Sequence, residues 1–154
     1  MNTARSIVAS TCLLTLAAAA GFAGPLSPPV GAVSSSMKTL AEVEPRIAIN
    51  ATNTPGDADA TPSTFKITQP GSYYLTGNIT GESGKDGIEI AAAGVTLDLN
   101  GFSVTGVPGS LTGISLRTGG TEVRNGTVRS WGGDGVAAAA AINTNRVIDV
   151  RAIG

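Results

Sequence analysis

Short apolar pieces return along this chain every 24 residues or so, and that recurrence limits the fold more than any other feature. Leu99, Val123 and Val147 are successive 24-residue steps, and so are Val104, Val128 and Ala152. The Gly-Ile/Val starts at Gly87, Gly113 and Gly135 lie 26 and 22 apart, with the Pro108-Gly109 loop absorbing the difference. A fixed period of this length is the mark of a repeat architecture. The repeating pieces are three to five residues long, alternate apolar with polar, and are separated by glycines: Gly87–Ile90, Val95–Leu99, Gly113–Leu116 and Val147–Val150 among them. They are strands by pattern, too short for a sandwich core and of the right length for the coils of a solenoid. The expectation is an all-β chain folded as a parallel β-helix of about 24 residues per coil over 64–154. Neighbouring coils would then sit about 4.8 Å apart, so that equivalent residues stack.

Composition agrees with that reading and removes several function classes. Glycine, at 21 of 154 residues, is about twice its usual share, while charged residues make up only 14%. No histidine is present, which excludes a Ser-His-Asp triad, an HExxH zinc site and a His-based pH switch. A net charge of −1 lacks the basic stripe that phosphate backbones require, so nucleic acid is not expected as a partner.

The first 23 residues read as a secretory signal peptide. Arg5 supplies the positive start, Ile7 to Ala20 the apolar stretch, and small residues allow cleavage after Ala23 or after Ala20. The only cysteine, Cys12, lies within it. The expected location is therefore secreted or cell envelope, with no membrane segment beyond the signal. Residues 24–36 are a Pro/Ser linker. Residues 37–63 read as an N-terminal cap: a short helix from Ser36 to Pro45, a strand at Arg46–Asn50 and a turn-rich loop to Ser63. The run Ala137 to Ala141 conflicts with strand propensity and is read as a tight coil corner or loop, a helical turn remaining open.

Stacking makes the outward residues candidates for chemistry. A strict 24-residue step puts Asp98 under Glu122 and Glu122 under Arg146. A 25-residue step aligns Asn100-Gly101 with Asn125-Gly126 and sets Arg124 opposite Asp149. Asp98 with Glu122 would suit Ca²⁺ or glycoside acid/base work; the simpler reading is an outward charge ladder closed by Arg146. Asp57 and Asp59, beside Gly56, offer hard oxygens for Ca²⁺ but fall short of the six to eight ligands it takes, and turn formation explains them equally. No other cofactor is indicated. Asn100 and Asn125 precede glycines and belong at coil corners, where asparagine tolerates left-handed backbone. Tyr73 alternates inward with Leu75, which leaves Tyr74 and Trp131 as the exposed rings that could stack on sugars.

Several of these phrases carry a family likeness. Ile67 to Ile79 (ITQPGSYYLTGNI), Val95 to Phe102 (VTLDLNGF), Val123 to Arg129 (VRNGTVR) and Trp131 to Val136 (WGGDGV) resemble the opening coils of bacterial right-handed parallel β-helix repeat proteins of the pectin-lyase-like superfamily. The likeness covers roughly residues 38 to 154. It implies a right-handed coil with three sheets, an N-terminal cap and a longer run of coils than is present here. Members include polysaccharide lyases and hydrolases, adhesins and secreted proteins with no assigned activity. In the lyases, calcium-binding aspartates and a proton-abstracting arginine sit on neighbouring coils; Arg124 and Arg129 lie near Asp98 and Asp149 in the projected stack. Catalytic residues in such enzymes usually come from middle coils, so none is carried across. The pattern reaches Gly154 without a cap, and capping is the rule in repeat proteins. The expectation is truncation, the alternative being self-association through the uncapped last coil.

Two functions follow as expectations. The preferred one is a secreted or cell-surface, non-catalytic module that binds a polysaccharide or a surface protein through stacked coil faces. The alternative is the N-terminal fragment of a β-helix polysaccharide lyase or glycoside hydrolase.

Overall fold

The computed structural model describes residues 44–139 and 144–154, all within one compact unit, 38–154. The expected signal peptide, linker and cap helix up to Val43 lie outside the described residues.

Alternating apolar side chains between glycine turns produce eleven strands and, among the described residues, no helix. They are β1 (Ile47–Ala48), β2 (Ser63–Ile67), β3 (Gly71–Tyr74), β4 (Ile79–Thr80), β5 (Asp86–Ile90) and β6 (Val95–Asp98). β7 (Ser103–Thr105), β8 (Ile114–Leu116), β9 (Glu122–Arg129), β10 (Val136–Ala138) and β11 (Arg146–Ile153) follow. Every strand pairing is parallel. The chain is a parallel β-solenoid of about four turns. Each turn runs along a first wall (β2, β5, β8, β10), then a second wall (β1, β3, β6 and the first halves of β9 and β11). It next rounds a corner onto a third wall (β4, β7 and the second halves of β9 and β11).

The core is a set of stacked columns. On the first wall Ile88 pairs with Ile114 and Ile114 with Val136; on the second, Tyr73, Leu97, Val123 and Val147 follow one another. On the third wall Val104, Val128 and Ala152 pair in steps of 24. Ile88, Ile114, Leu97, Val104, Val123 and Val128 are completely buried, each worth about 1.5–3 kcal/mol of transfer free energy. In β11 the column is open: Val147 is 51% and Ile153 43% exposed. A hollow of about 130 Å³ lies there between Trp131, Gly133, Gly135, Ala152, Ile153 and Gly154.

The register differs from a uniform period at one place. Leu99 does not stack on Val123; Leu97 does, a step of 26, whereas the third wall keeps a step of 24. The reason is corner length. Four residues, 99–102, separate β6 from β7, while in the following turn Asn125 and Gly126 round the corner within β9. Between the walls the offset is 25, as Leu99 N–H donates to Arg124 C=O and Gly101 N–H to Asn125 C=O, each at 2.8 Å. Leu99 is itself fully buried, and a Cβ on Gly126 would come within 2.4 Å of the Leu99 Cβ, so glycine is the residue that admits this corner. Asn100, Asn125 and Asp149 take φ of 53°, 59° and 53°, one left-handed residue per turn. A further correction concerns the alanine run: Ala137 and Ala138 lie in β10, paired with Ser115 and Leu116, and not in a corner.

Candidate functional site

Two outward clusters collect the charged residues. The first lies on the second wall, where period-two alternation turns Asp98, Arg124 and Glu122 away from Leu97 and Val123. Asp98 pairs across the strands with Arg124, and Thr96 with Glu122. The expected stacking of Asp98 under Glu122 is therefore absent, since the 26-residue step puts a cation opposite Asp98. Instead the two carboxylates share one guanidinium: Arg124 Nε lies 3.3 Å from Asp98 Oδ2 and its Nη1 3.4 Å from Glu122 Oε1. Arg146 closes the far side, 3.2 Å from Glu122 Oε2. The alternative register, Arg124 against Asp149, does not occur; Ile148 faces Arg124. Arg46 bridges the near side, 3.7 Å from Asp98 Oδ2 and 2.8 Å from Glu44. Its guanidinium carbon stands 4.6 Å from the Tyr74 ring centroid, a cation–π contact that occupies one face of that half-buried ring.

Asp98 is the most tightly held carboxylate of this cluster. Burial alone would raise its pKa, but hydrogen bonds from Asn100 N–H and Asn125 Nδ2 and the Arg124 guanidinium outweigh that and bring it below the ordinary aspartate value. A carboxyl whose pKa is lowered in the folded state adds stability above its unfolded pKa, near 4, and loses it as pH falls through the folded value. Asp98→Asn should accordingly be less stable than the wild type at pH 7, and the gap should close as pH falls below about 4. Urea midpoints from pH 7 to pH 2.5 read this directly; a gap of constant size across that range refutes it.

The second cluster lies over the first wall. Lys66 and Glu89 pair across β2 and β5, pointing outward between the inward Phe65/Ile67 and Ile88/Ile90. The Lys66 ammonium bonds Asp57, lies 3.0 Å from Asp59 Oδ2 and 3.0 Å from Glu89 Oε1. Asp57 also accepts from Ser63 N–H at 3.0 Å, and Asp59 from Thr61 N–H at 2.7 Å. Thr61 N–H first and Lys66 second hold the Asp59 carboxyl well below its usual range, and the three acceptors raise Lys66. Arg117 completes the group, 3.4 Å from Asp86 and 3.8 Å from Glu89.

This geometry does not suit a metal at Asp57 and Asp59, because an ammonium already stands between their carboxylates. No set of three or more His, Cys, Asp or Glu among the described residues is placed to hold a metal ion. Trp131 is also placed differently from the sequence expectation. It is 8% exposed, and its indole N–H donates to Val104 C=O at 3.1 Å. Its ring fills a slot bordered by Gly81, Gly87 and Gly113, so it offers no face to a sugar.

Compared with models of known families, with curated proteins and with solved structures, the chain matches none. The fold therefore rests on the strand register itself. Sequence reasoning missed Lys66, Glu89 and Arg117. Period-two alternation does mark Lys66 and Glu89 as outward, but nothing in the sequence reveals that the loop carrying Asp57 and Asp59 folds back over them.

Proposed function

We propose that this chain is an exported, non-catalytic β-solenoid module that binds glycan through the flat outer faces of its stacked coils. One observation carries the reading. Each of the four carboxylates that the sequence offered for acid/base or metal chemistry is committed to a cation of the same chain. Asp57 and Asp59 share Lys66, and Asp98 and Glu122 share Arg124. A general acid and base need carboxylates free to exchange protons, whereas a recognition surface needs side chains held at fixed spacing, which the ladder supplies. Export rests on the N-terminal segment, Met1 to Ala23. Individual contacts on such a face are shallow, so affinity should grow with ligand length as successive coils engage successive sugars.

The test incubates the full chain with a panel of polysaccharides and oligosaccharides, with and without Ca²⁺. The expected result is retention that strengthens with chain length and no new reducing or unsaturated sugar ends. Ca²⁺-dependent release of unsaturated ends would overturn the non-catalytic reading in favour of a lyase.

A further inference from the structure

Eight cationic side chains fall among the described residues, and six of them lie within 4 Å of a carboxylate: Arg46, Lys66, Lys85, Arg117, Arg124 and Arg146. The remaining two, Arg129 and Arg151, form no ion pair with any described residue, and both occur on the third wall. Their neighbours Val128 and Val104 are completely buried, so alternation turns both arginines outward, and both are exposed. Arg129 follows Thr105 in one column, and Arg151 follows Thr127 and Ser103 in the next. Strand spacing sets the two Cα atoms about 8 Å apart, about 4.8 Å across one strand and about 6.6 Å along it.

From this placement we infer that the third wall is the glycan-binding face and that it selects chains bearing anionic groups; the inference rests on the glycan reading above. Arg129 Nε donates to Thr105 Oγ1 at 3.2 Å, which fixes the guanidinium along its column while its other N–H groups have no acceptor among the described residues. A guanidinium so held is prepared for two parallel bonds to a carboxylate or sulfate. The hydroxyls of Ser103, Thr105 and Thr127 lie on the same outward columns and match sugar hydroxyls as donors and acceptors. No carboxylate stands in either column. Asp149, two residues before Arg151, is at the corner and forms no ion pair with it. The second wall offers no such opportunity, since each of its guanidiniums is already neutralised. A polysaccharide with both hydroxyls and regularly spaced anions uses the whole third wall, whereas an acidic peptide would leave the hydroxyl columns idle.

The experiment measures binding of the full chain to dextran sulfate, to neutral dextran of equal length and to polyglutamate, at two salt concentrations. Dextran sulfate should bind at least about tenfold more tightly than dextran or polyglutamate and should weaken as salt rises. Arg129→Gln and Arg151→Gln should each weaken it by about threefold, in line with exposed ion pairs, while Lys85→Gln leaves it unchanged. Both arginines are exposed, and circular dichroism of the variants checks that they fold. Equal binding of dextran and dextran sulfate, unaffected by either arginine variant, overturns charge selection and leaves glycan binding standing. Binding of polyglutamate as tight as that of dextran sulfate overturns the glycan reading while keeping the anion face. Dextran sulfate binding that the two variants leave intact overturns the placement on the third wall.

Discussion

Trp131→Ala should cost about 3–5 kcal/mol of stability, which for a unit of this size lowers the melting temperature by roughly 15–30 °C. The indole runs inside the solenoid, and three glycines from three different coil segments leave the room for it. A Cβ on Gly81 would meet the ring at 2.4 Å, one on Gly87 at 2.7 Å and one on Gly113 at 3.0 Å. Removing the ring leaves a cavity whose walls are backbone already fixed by ladder hydrogen bonds, so collapse is limited. Gly81 makes a clean second probe, because all three of the atoms nearest its added Cβ belong to Trp131. Gly81→Ala alone should cost about 1–3 kcal/mol by overpacking and almost nothing in a Trp131→Ala background, a coupling that a double-mutant cycle in urea would expose. A Trp131→Ala cost below about 1 kcal/mol, or additive costs, would show that the ring does not fill that slot.

Trp131 also shows where sequence reading stops. The residue follows a strand and precedes Gly132-Gly133, a context that reads as an exposed loop. What buries it is a row of glycines 18 to 50 positions earlier, visible only once the coils are stacked. Tyr73 and Tyr74, by contrast, were assigned by alternation alone, and Tyr73 is buried at 3% while Tyr74 is half-buried. The solenoid was legible because Ile88, Ile114 and Val136 keep an apolar identity in register whatever the loops between them do. Its exact register was not. Leu97 and Leu99 are both apolar and two residues apart, so either fits under Val123, and the corner length that decides between them leaves no periodic trace. Charge pairing suffered from the same ambiguity: a two-residue shift exchanges Asp98–Glu122 repulsion for Asp98–Arg124 attraction. Lys66 posed a different problem, since its partners Asp57 and Asp59 come from a loop whose return path is set by tertiary packing.

That loop supplies the other large effect. Lys66→Met should cost about 3–5 kcal/mol, the usual penalty for removing one member of a buried ion pair. Glu89 is the reason: its side chain is 4% exposed, and without the ammonium it keeps only Arg117 at 3.8 Å and the Thr61 hydroxyl at 3.4 Å. Asp57 and Asp59 would then face it across the same space, three carboxylates where one cation had balanced them. The burden lies in the stranded charge more than in the lost bond, and pH separates the two. Protonating carboxylates relieves a stranded negative charge, so the deficit of Lys66→Met relative to wild type should shrink between pH 7 and pH 4. Lost packing of the lysine stem would leave the deficit constant. Replacing Glu89 as well, in Lys66→Met/Glu89→Met, should recover at least half of the loss at pH 7, because a pair of apolar side chains leaves no uncompensated charge in the first wall. A double variant as unstable as Lys66→Met alone would instead assign the loss to Asp57, Asp59 and the loop they hold down.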